Sequence, residues 1–375
     1  MNIIFTIIIF VVILGILVFV HELGHFGIAK LFKVGVEEFG FGYPPKILGI
    51  QKGKTMYSLN WIPVGGFVRI KGVVGAEEGS SNENYENDDD SFMNKSVGVR
   101  FSILIAGVIM NFLLAAVLFS IGFMIGLPAA IDNAPENAII NNPGIAISSV
   151  LDASPAQIAD LQPNDKIVGV DGEKIVSIND FKNAVKEKQT ISIDIERESE
   201  VITKDINIEV ISATNEPGIG VALVETGMVS YPWYQAIYQG FAYTVKLTGL
   251  IFQALYQLLV SLVSDVKSET AFSGPIGIAV MTSEMAKMGF IYLLQFTALL
   301  SINLAIFNLL PIPALDGGRL FFLIIEKIKG SPVNQKIEMI IHNLGFYLLL
   351  LLIVIVTFKD VAQFHFLTFI KNIFI

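Results

Sequence analysis

The sequence predicts a polytopic α-helical membrane protein: four transmembrane helices, a membrane-associated β-hairpin and one α+β domain facing water. Three observations predict it. Of the 375 residues, 53% are hydrophobic and 16% charged, and the mean hydropathy is +0.64, which is not the balance of a soluble chain. Apolar runs at 3–32, 101–127, 289–310 and 340–357 match the roughly 20 residues a helix needs to cross the hydrocarbon core. Between the second and third runs, residues 128–211 turn polar and break into short stretches separated by turn residues, the pattern of a folded α+β module.

Composition also excludes. The chain has no cysteine, so disulfides and thiolate metal sites are ruled out. Its net charge is −9, without a Lys/Arg-rich patch, so no nucleic-acid partner is expected. The 28 phenylalanines suit helices that face membrane lipid. The N-terminal run lacks a basic leader, and a polar motif stands where a small-residue cleavage site would be, so it is expected to stay as an anchor.

That polar motif is His21-Glu22-Leu23-Gly24-His25, at the end of the first apolar run. On a helix, HExxH sets two imidazoles one turn apart on one face, able to grip one Zn2+, with Glu22 beside them to take a proton from water. Ionisable groups are expensive at membrane depth and mark function there by default.

The following loop, 34–100, reads as strands at 36–41, 55–61 and 65–71, the last two flanking the turn signal Ile62-Pro63-Val64-Gly65. Its apolar residues leave two readings open. One is a small packed sheet; the other is a hairpin dipping into the membrane beside HExxH, tolerated only where protein covers its backbone. Residues 76–94 are acidic and rich in Asn and Ser, as in a surface loop. Asn111, in the second run, is expected to hydrogen-bond between helices.

In the polar module, strands are expected at 145–151, 166–170, 190–197 and 201–210. One short helix should open at Ser154-Pro155, with Ser154 as N-cap, and a second should cover 178–188. Residues 231–263 are long and apolar but carry Lys246 and four glutamines.

A catalytic zinc keeps three protein ligands and one open position. His342 lies at the mouth of the last run and His365 at its far end, while Glu37 and Glu38 sit in a loop leading away from the membrane. Asp316 follows Pro311-Ile312-Pro313-Ala314-Leu315 and precedes Gly317-Gly318, on irregular backbone expected at membrane depth only where it lines a cavity. It is the candidate third ligand, against the plainer reading of a turn aspartate. With four spans, Asp316 returns to the side of His21; with five it would not. Residues 231–263 are therefore expected along the surface as an amphipathic helix. Lys30, Lys33, Lys46, Lys95, Arg100, Arg319, Lys327 and Lys329 all fall at one side, which the positive-inside rule makes the cytosol, with the polar module outside.

These residues resemble the site-2 protease family of intramembrane zinc metalloproteases, in its bacterial branch with a single PDZ domain. The stretches that carry the resemblance are HELGH at 21–25, Gly40-Phe41-Gly42, Ile62-Pro63-Val64-Gly65-Gly66-Phe67-Val68, Ser273-Gly274-Pro275-Ile276-Gly277 and Asn308-Leu309-Leu310-Pro311-Ile312-Pro313-Ala314-Leu315-Asp316-Gly317-Gly318. The resemblance implies that His21, His25 and Asp316 bind Zn2+ and that Glu22 is the general base. It further implies that Asn308 and Pro313 handle substrate and that the segment with Gly65, Gly66, Phe67 and Val68 is a re-entrant β-loop; as an edge strand it would offer an unwound substrate new backbone partners and hold it extended. The module around Ser154-Pro155-Ala156 and Lys166-Ile167-Val168-Gly169-Val170-Asp171-Gly172 looks like a PDZ domain.

The implied boundaries are 1–127 for the first two spans, 128–212 for the PDZ-like domain, 213–288 for a linker with the interfacial helix and 289–375 for the last two spans. The implied activity is cleavage of single-span membrane proteins, such as anti-sigma factors or remnant signal peptides, in a bacterial plasma membrane. The active site would face the cytosol, with lipid around the chain and a peptide or upstream protease product docking on the PDZ-like domain. Two departures stand out. Gly42-Tyr43-Pro44-Pro45-Lys46 is longer than the family's Gly-Pro-Lys, and Val108 replaces a proline before Asn111. A scaffold with structural zinc, or a transporter using the same residues as a pathway, are the rival readings; neither needs Glu22.

Overall fold

The computed structural model describes residues 3–73, 88–131, 137–186, 188–197, 200–211, 216–263 and 274–363. The acidic stretch around Ser81, and His365 with the Phe-rich tail, lie outside the described residues. The chain forms two compact units, one of residues 1–119 with 239–375 and one of 120–238.

In the first unit, α1 (Ile3–Leu31) carries the apolar run and HExxH in one uninterrupted helix, about 43 Å long at 1.5 Å per residue. Next come β1 (Val36–Lys52) and β2 (Thr55–Ile70), then α2 (Val97–Ile125). After the second unit follow α5 (Trp233–Val263), α6 (Pro275–Met288), α7 (Phe290–Leu309), α8 (Asp316–Lys329) and α9 (Gln335–Gln363). Among the described residues, five helices (α1, α2, α5, α7 and α9) are long and apolar enough to cross a membrane. The sequence predicts four, with α5 along the surface; α5 is the least apolar of the five.

Paired contacts fix the helix directions. Thr6 near the start of α1 hydrogen-bonds Ser283 of α6 at 3.0 Å, whereas His21 meets Asp316 at the start of α8. So α1 and α7 run the same way. Arg100 at the start of α2 pairs with Glu326 of α8, and α9 begins beside the α7–α8 turn. It ends where the Asp360 carboxylate accepts the N–H groups of Gly274 and Gly277 at 3.2 and 2.8 Å. That buried carboxylate caps the N-terminus of α6, satisfying orphan donors and the helix dipole together.

The loop after α1 is not the hairpin the sequence suggested. The tight turn falls at Gly53 (φ +62°), not at 62–65. Residues 36–41 lie between two stretches of β2: Glu38 to Phe41 face Met56 to Leu59 on one edge and Arg69 to Gly66 on the other. Residues 66–70 are therefore an edge strand whose partner is β1. Pro63 stays inside β2 because it sits in a bulge, with residues 63–65 opposing Gly42, where a missing N–H breaks no ladder bond. The extra pairing segment at 46–52 escaped the sequence reading, as did helix α6.

The second unit is built on β3 (Leu127–Ala130), β4 (Ile139–Val150), β5 (Lys166–Val170), β6 (Glu173–Lys174), β7 (Thr190–Arg197), β8 (Glu200–Asn207) and β11 (Val221–Ser230). They form one antiparallel sheet in the order β3-β11-β4-β5-β7-β8, with β6 on β5. A separate pair joins β9 (Glu209–Ile211) to β10 (Glu216–Gly218). Alternation buries Ile191, Ile193 and Ile195 of β7 with Ile145, Ile167 and Phe181. Ser154 caps α3 (Pro155–Ile158), and Ser177 with Asp180 forms a capping box on α4 (Ile178–Val185). Strand β11 lies inside this sheet, so the expected domain limit at 212 stops short; residues 221–230 had no sequence signal strong enough to separate them from a linker.

Candidate metal centre

The site is built where α1, α2, α8 and the β2 edge converge. Two glycines let the helices close. A Cβ on Gly24 would lie 2.5 Å from the Ala106 carbonyl oxygen of α2, and one on Gly107 would lie 2.5 Å from His25 Nε2 and 2.7 Å from His21 Cε1. Small residues thus bring the backbones together and leave space at the imidazoles. At the other wall, a Cβ on Gly317 would lie 2.0 Å from the Leu310 oxygen, and one on Gly318 2.6 Å from that of Ile312. The Gly-Gly pair is what allows α8 to start folded back on the end of α7.

Three donor atoms meet. His21 Nε2 lies 2.9 Å and His25 Nε2 3.2 Å from Asp316 Oδ2, and the two Nε2 atoms are 3.1 Å apart. A tetrahedral zinc with bonds of about 2.0–2.1 Å sets its ligands about 3.3 Å apart, so this donor set fits the ion in both number and spacing. The ligand atoms of His21, Glu22 and His25 all lie within 4.8 Å of one another. The imidazoles are 8% and 7% exposed and the Asp316 side chain 18%, so the open approach is on the aspartate's side.

Outer contacts fix the rings. His25 Nδ1 donates to the Ile103 carbonyl at 2.8 Å, which leaves the Nε2 lone pair for a metal. His21 Nδ1 faces the Asn111 side-chain amide at 3.3 Å. The Asn111 side-chain nitrogen faces the ring, while its Oδ1 is buried without a partner among the described residues. Turning the amide over lets Oδ1 accept the His21 Nδ1 proton, which satisfies both atoms and frees Nε2. Asn111 thus bonds the His21 ring as well as serving as the interhelical bridge the sequence suggested. Its spacing of four from Gly107 on one helix face was the available signal.

Glu22 is held by the edge strand of β2: the Val68 backbone N–H donates to Glu22 Oε2 at 3.1 Å. The edge strand follows α1, with Pro63 beside Gly15, Gly65 against Val18 and Val68 at Glu22. Gly65, at φ +86° with Val18 Cγ1 2.8 Å from where its Cβ would be, admits no side chain. Gly66 packs on the Gly40 carbonyl, and Phe67 is buried and stacks with Tyr43. Asn308 is half-buried in the last turn of α7, and Pro313 sits in the turn before α8. The sequence did not show that the Val68 donor is already taken by the glutamate.

Comparison with known proteins places this geometry. The family model described as Peptidase family M50 matches residues 9–352. The Clostridium perfringens protein CPE1693 is 36% identical over 92% of this chain and 95% of its own. The regulator of sigma-W protease RasP of Bacillus subtilis is 31% identical over 96% of this chain and 98% of its own. The zinc metalloprotease RasP of Bacillus licheniformis is 30% identical over 96% and 99%. Among solved structures, the PDZ domain of an SdrC-like protein from Listeria monocytogenes matches 23% of this chain and 90% of its own at 27% identity, with a TM-score of 0.21. An HExxH helix of spanning length, a converging aspartate and a family match over nearly the whole length lead to one conclusion: the chain belongs to Peptidase family M50 and is a zinc metalloprotease.

Proposed function

We propose that this metalloprotease cuts peptide bonds inside the transmembrane segments of single-span membrane proteins, with His21, His25 and Asp316 holding zinc and Glu22 as general base. One observation carries the reading: His21, Glu22 and His25 stand together on a helix of membrane-spanning length and hydropathy, and Asp316 Oδ2 of α8 lies 2.9 and 3.2 Å from the two imidazoles. Bound there, zinc supplies Lewis-acid polarisation of a carbonyl and acidifies a water. Glu22 takes the proton of the attacking water and returns one to the leaving amine. Asn308 is assigned to the substrate or the developing oxyanion, and Pro313 to the substrate's path.

A helical substrate hides its carbonyls in i to i−4 bonds and must unwind before attack. The edge strand with Gly65, Gly66, Phe67 and Val68 offers the freed groups new partners. Because the Val68 N–H already holds Glu22, the same strand both receives substrate and sets the base.

We read the topology as four spans. The chain leaves α5 and begins α6 at the end of α9, where Gly274 meets Asp360. If α5 crossed, the eleven residues between α5 and α6 would have to bring the chain back across the membrane, and eleven is about half of what a spanning helix needs. The site then faces the cytosol of a bacterial plasma membrane and the PDZ-like unit lies outside, where it filters bulky substrates or docks a peptide. The name of the Bacillus subtilis relative suggests membrane regulators of sigma factors, such as anti-sigma factors, as substrates; remnant signal peptides share the same chemistry.

The test is cleavage of a purified single-span substrate, shortened on its outer side, by the reconstituted chain, with the cut mapped by mass spectrometry. A cut within the span, lost in Glu22→Gln, is expected. Cuts confined to water-exposed flanks would contradict the reading.

A further inference from the structure

Asp316 is the first residue of α8, and the turn that delivers it has few bonds of its own. Pro311 and Pro313 have no N–H to give. Ile312 donates to the Leu310 carbonyl at 2.7 Å and Leu315 to Ile312 at 3.2 Å, both inside the turn. That leaves Ala314, which sits at φ +76°, a left-handed conformation that an alanine holds only when its surroundings fix it. Its N–H donates to His342 Nδ1 of α9 at 2.9 Å. One turn further along α9, a Cβ on Gly345 would fall 2.4 Å from Pro313 Cβ and 2.7 Å from its oxygen. The His342 ring also packs on Phe322 of α8, centroid to centroid 5.7 Å.

We infer that His342 and Gly345 are positioning residues for Asp316: α9 seats Pro313 in the gap that Gly345 leaves and pins Ala314 by the His342 hydrogen bond. The inference rests on the reading of Asp316 as a zinc ligand. His342 is not itself a ligand in this arrangement. Its Nδ1 lone pair is used by Ala314, so the ring proton sits on Nε2. The role is specific to an acceptor at the Nδ1 position, which an asparagine Oδ1 reproduces and a leucine of similar bulk does not.

The experiment measures zinc affinity of the full-length chain in detergent, by competition with a chromophoric chelator, alongside the visible spectrum of the cobalt-loaded form and the melting temperature of the zinc-free form. His342→Leu should weaken zinc binding about 10-fold to 100-fold, the usual effect of losing an outer partner, and broaden the cobalt bands without lowering the zinc-free melting temperature. His342→Asn should restore most of the affinity that His342→Leu loses. Gly345→Ala keeps both hydrogen-bond partners but pushes α9 off Pro313, and should weaken binding as His342→Leu does; it carries the test if the leucine variant fails to fold. Parent-like affinity in the leucine and alanine variants, or failure of asparagine to rescue, overturns the inference. Asp316→Ala separates the two levels: if it loses zinc while His342→Leu keeps it, only the positioning role fails. If Asp316→Ala keeps zinc, the ligand reading fails first.

Discussion

At the scale of single residues, the site depends as much on what is missing as on what is present. Gly24 and Gly107 have no side chain because α1, α2 and the two imidazoles occupy that space. Gly24→Ala must part the helices at Ala106 or distort α1, and overpacking of this kind costs about 1–3 kcal/mol. The expected result is a lower melting temperature together with lost zinc, measured on the purified chain by calorimetry and metal analysis. Asn111 makes a more selective prediction. Asn111→Leu removes the acceptor for the His21 Nδ1 proton and should weaken zinc binding about tenfold, leaving the fold near its parent stability because Ser301 bonds the Asn111 backbone oxygen, not its side chain. Undiminished zinc affinity in that variant would remove Asn111 from the site.

At the scale of elements, the edge strand and the small helix α4 can each be tested separately. Val68→Pro deletes the donor to Glu22 and restricts the backbone. Cleavage should fall steeply while zinc content holds, because the bond that is lost runs to the base Glu22 and not to His21, His25 or Asp316. Equal loss of zinc and activity would make the strand a structural lid. On α4, Ser177→Ala removes one half of a capping box and should cost about 1 kcal/mol, read as faster amide exchange over 178–185. The other half is pH-dependent. The Ser177 hydroxyl, with the Val176 and Ser177 N–H groups, holds the Asp180 carboxyl below the usual carboxylate range. Its contribution is therefore complete above the unfolded carboxylate value near 4 and fades as pH drops through the lower folded value.

These elements also mark what the sequence could disclose. Long apolar runs and the 2-residue alternation of Ile191, Ile193 and Ile195 announce their elements directly. The hairpin did not, because Pro63 and Gly65 carry a turn signal that the fold uses for a bulge, and pairing of residues 36–41 on both edges is a long-range choice. Spacing exposed HExxH, whereas Asp316 joins it across 295 positions; its setting between Pro311-Ile312-Pro313 and Gly317-Gly318 made it a candidate, which the family resemblance then singled out.

At the scale of the whole molecule, the four-span reading predicts which ends of the helices share a side. The native chain has no cysteine, so single introduced cysteines report sidedness cleanly. Ser81→Cys should be labelled from the cytosol, and Asn179→Cys and Ser268→Cys from outside. Labelling of Ser268→Cys from the cytosol would make α5 a fifth span and leave the polarity of α6 and α7 unexplained. The central claim is that HExxH and Asp316 form one zinc site whose base is Glu22, and one measurement addresses it most directly: zinc content and transmembrane-substrate cleavage determined on the same purified Asp316→Ala and Glu22→Gln chains. The account predicts no retained zinc and no cleavage for Asp316→Ala, and retained zinc without cleavage for Glu22→Gln. An Asp316→Ala chain that keeps its zinc and cuts at the parent rate would contradict it.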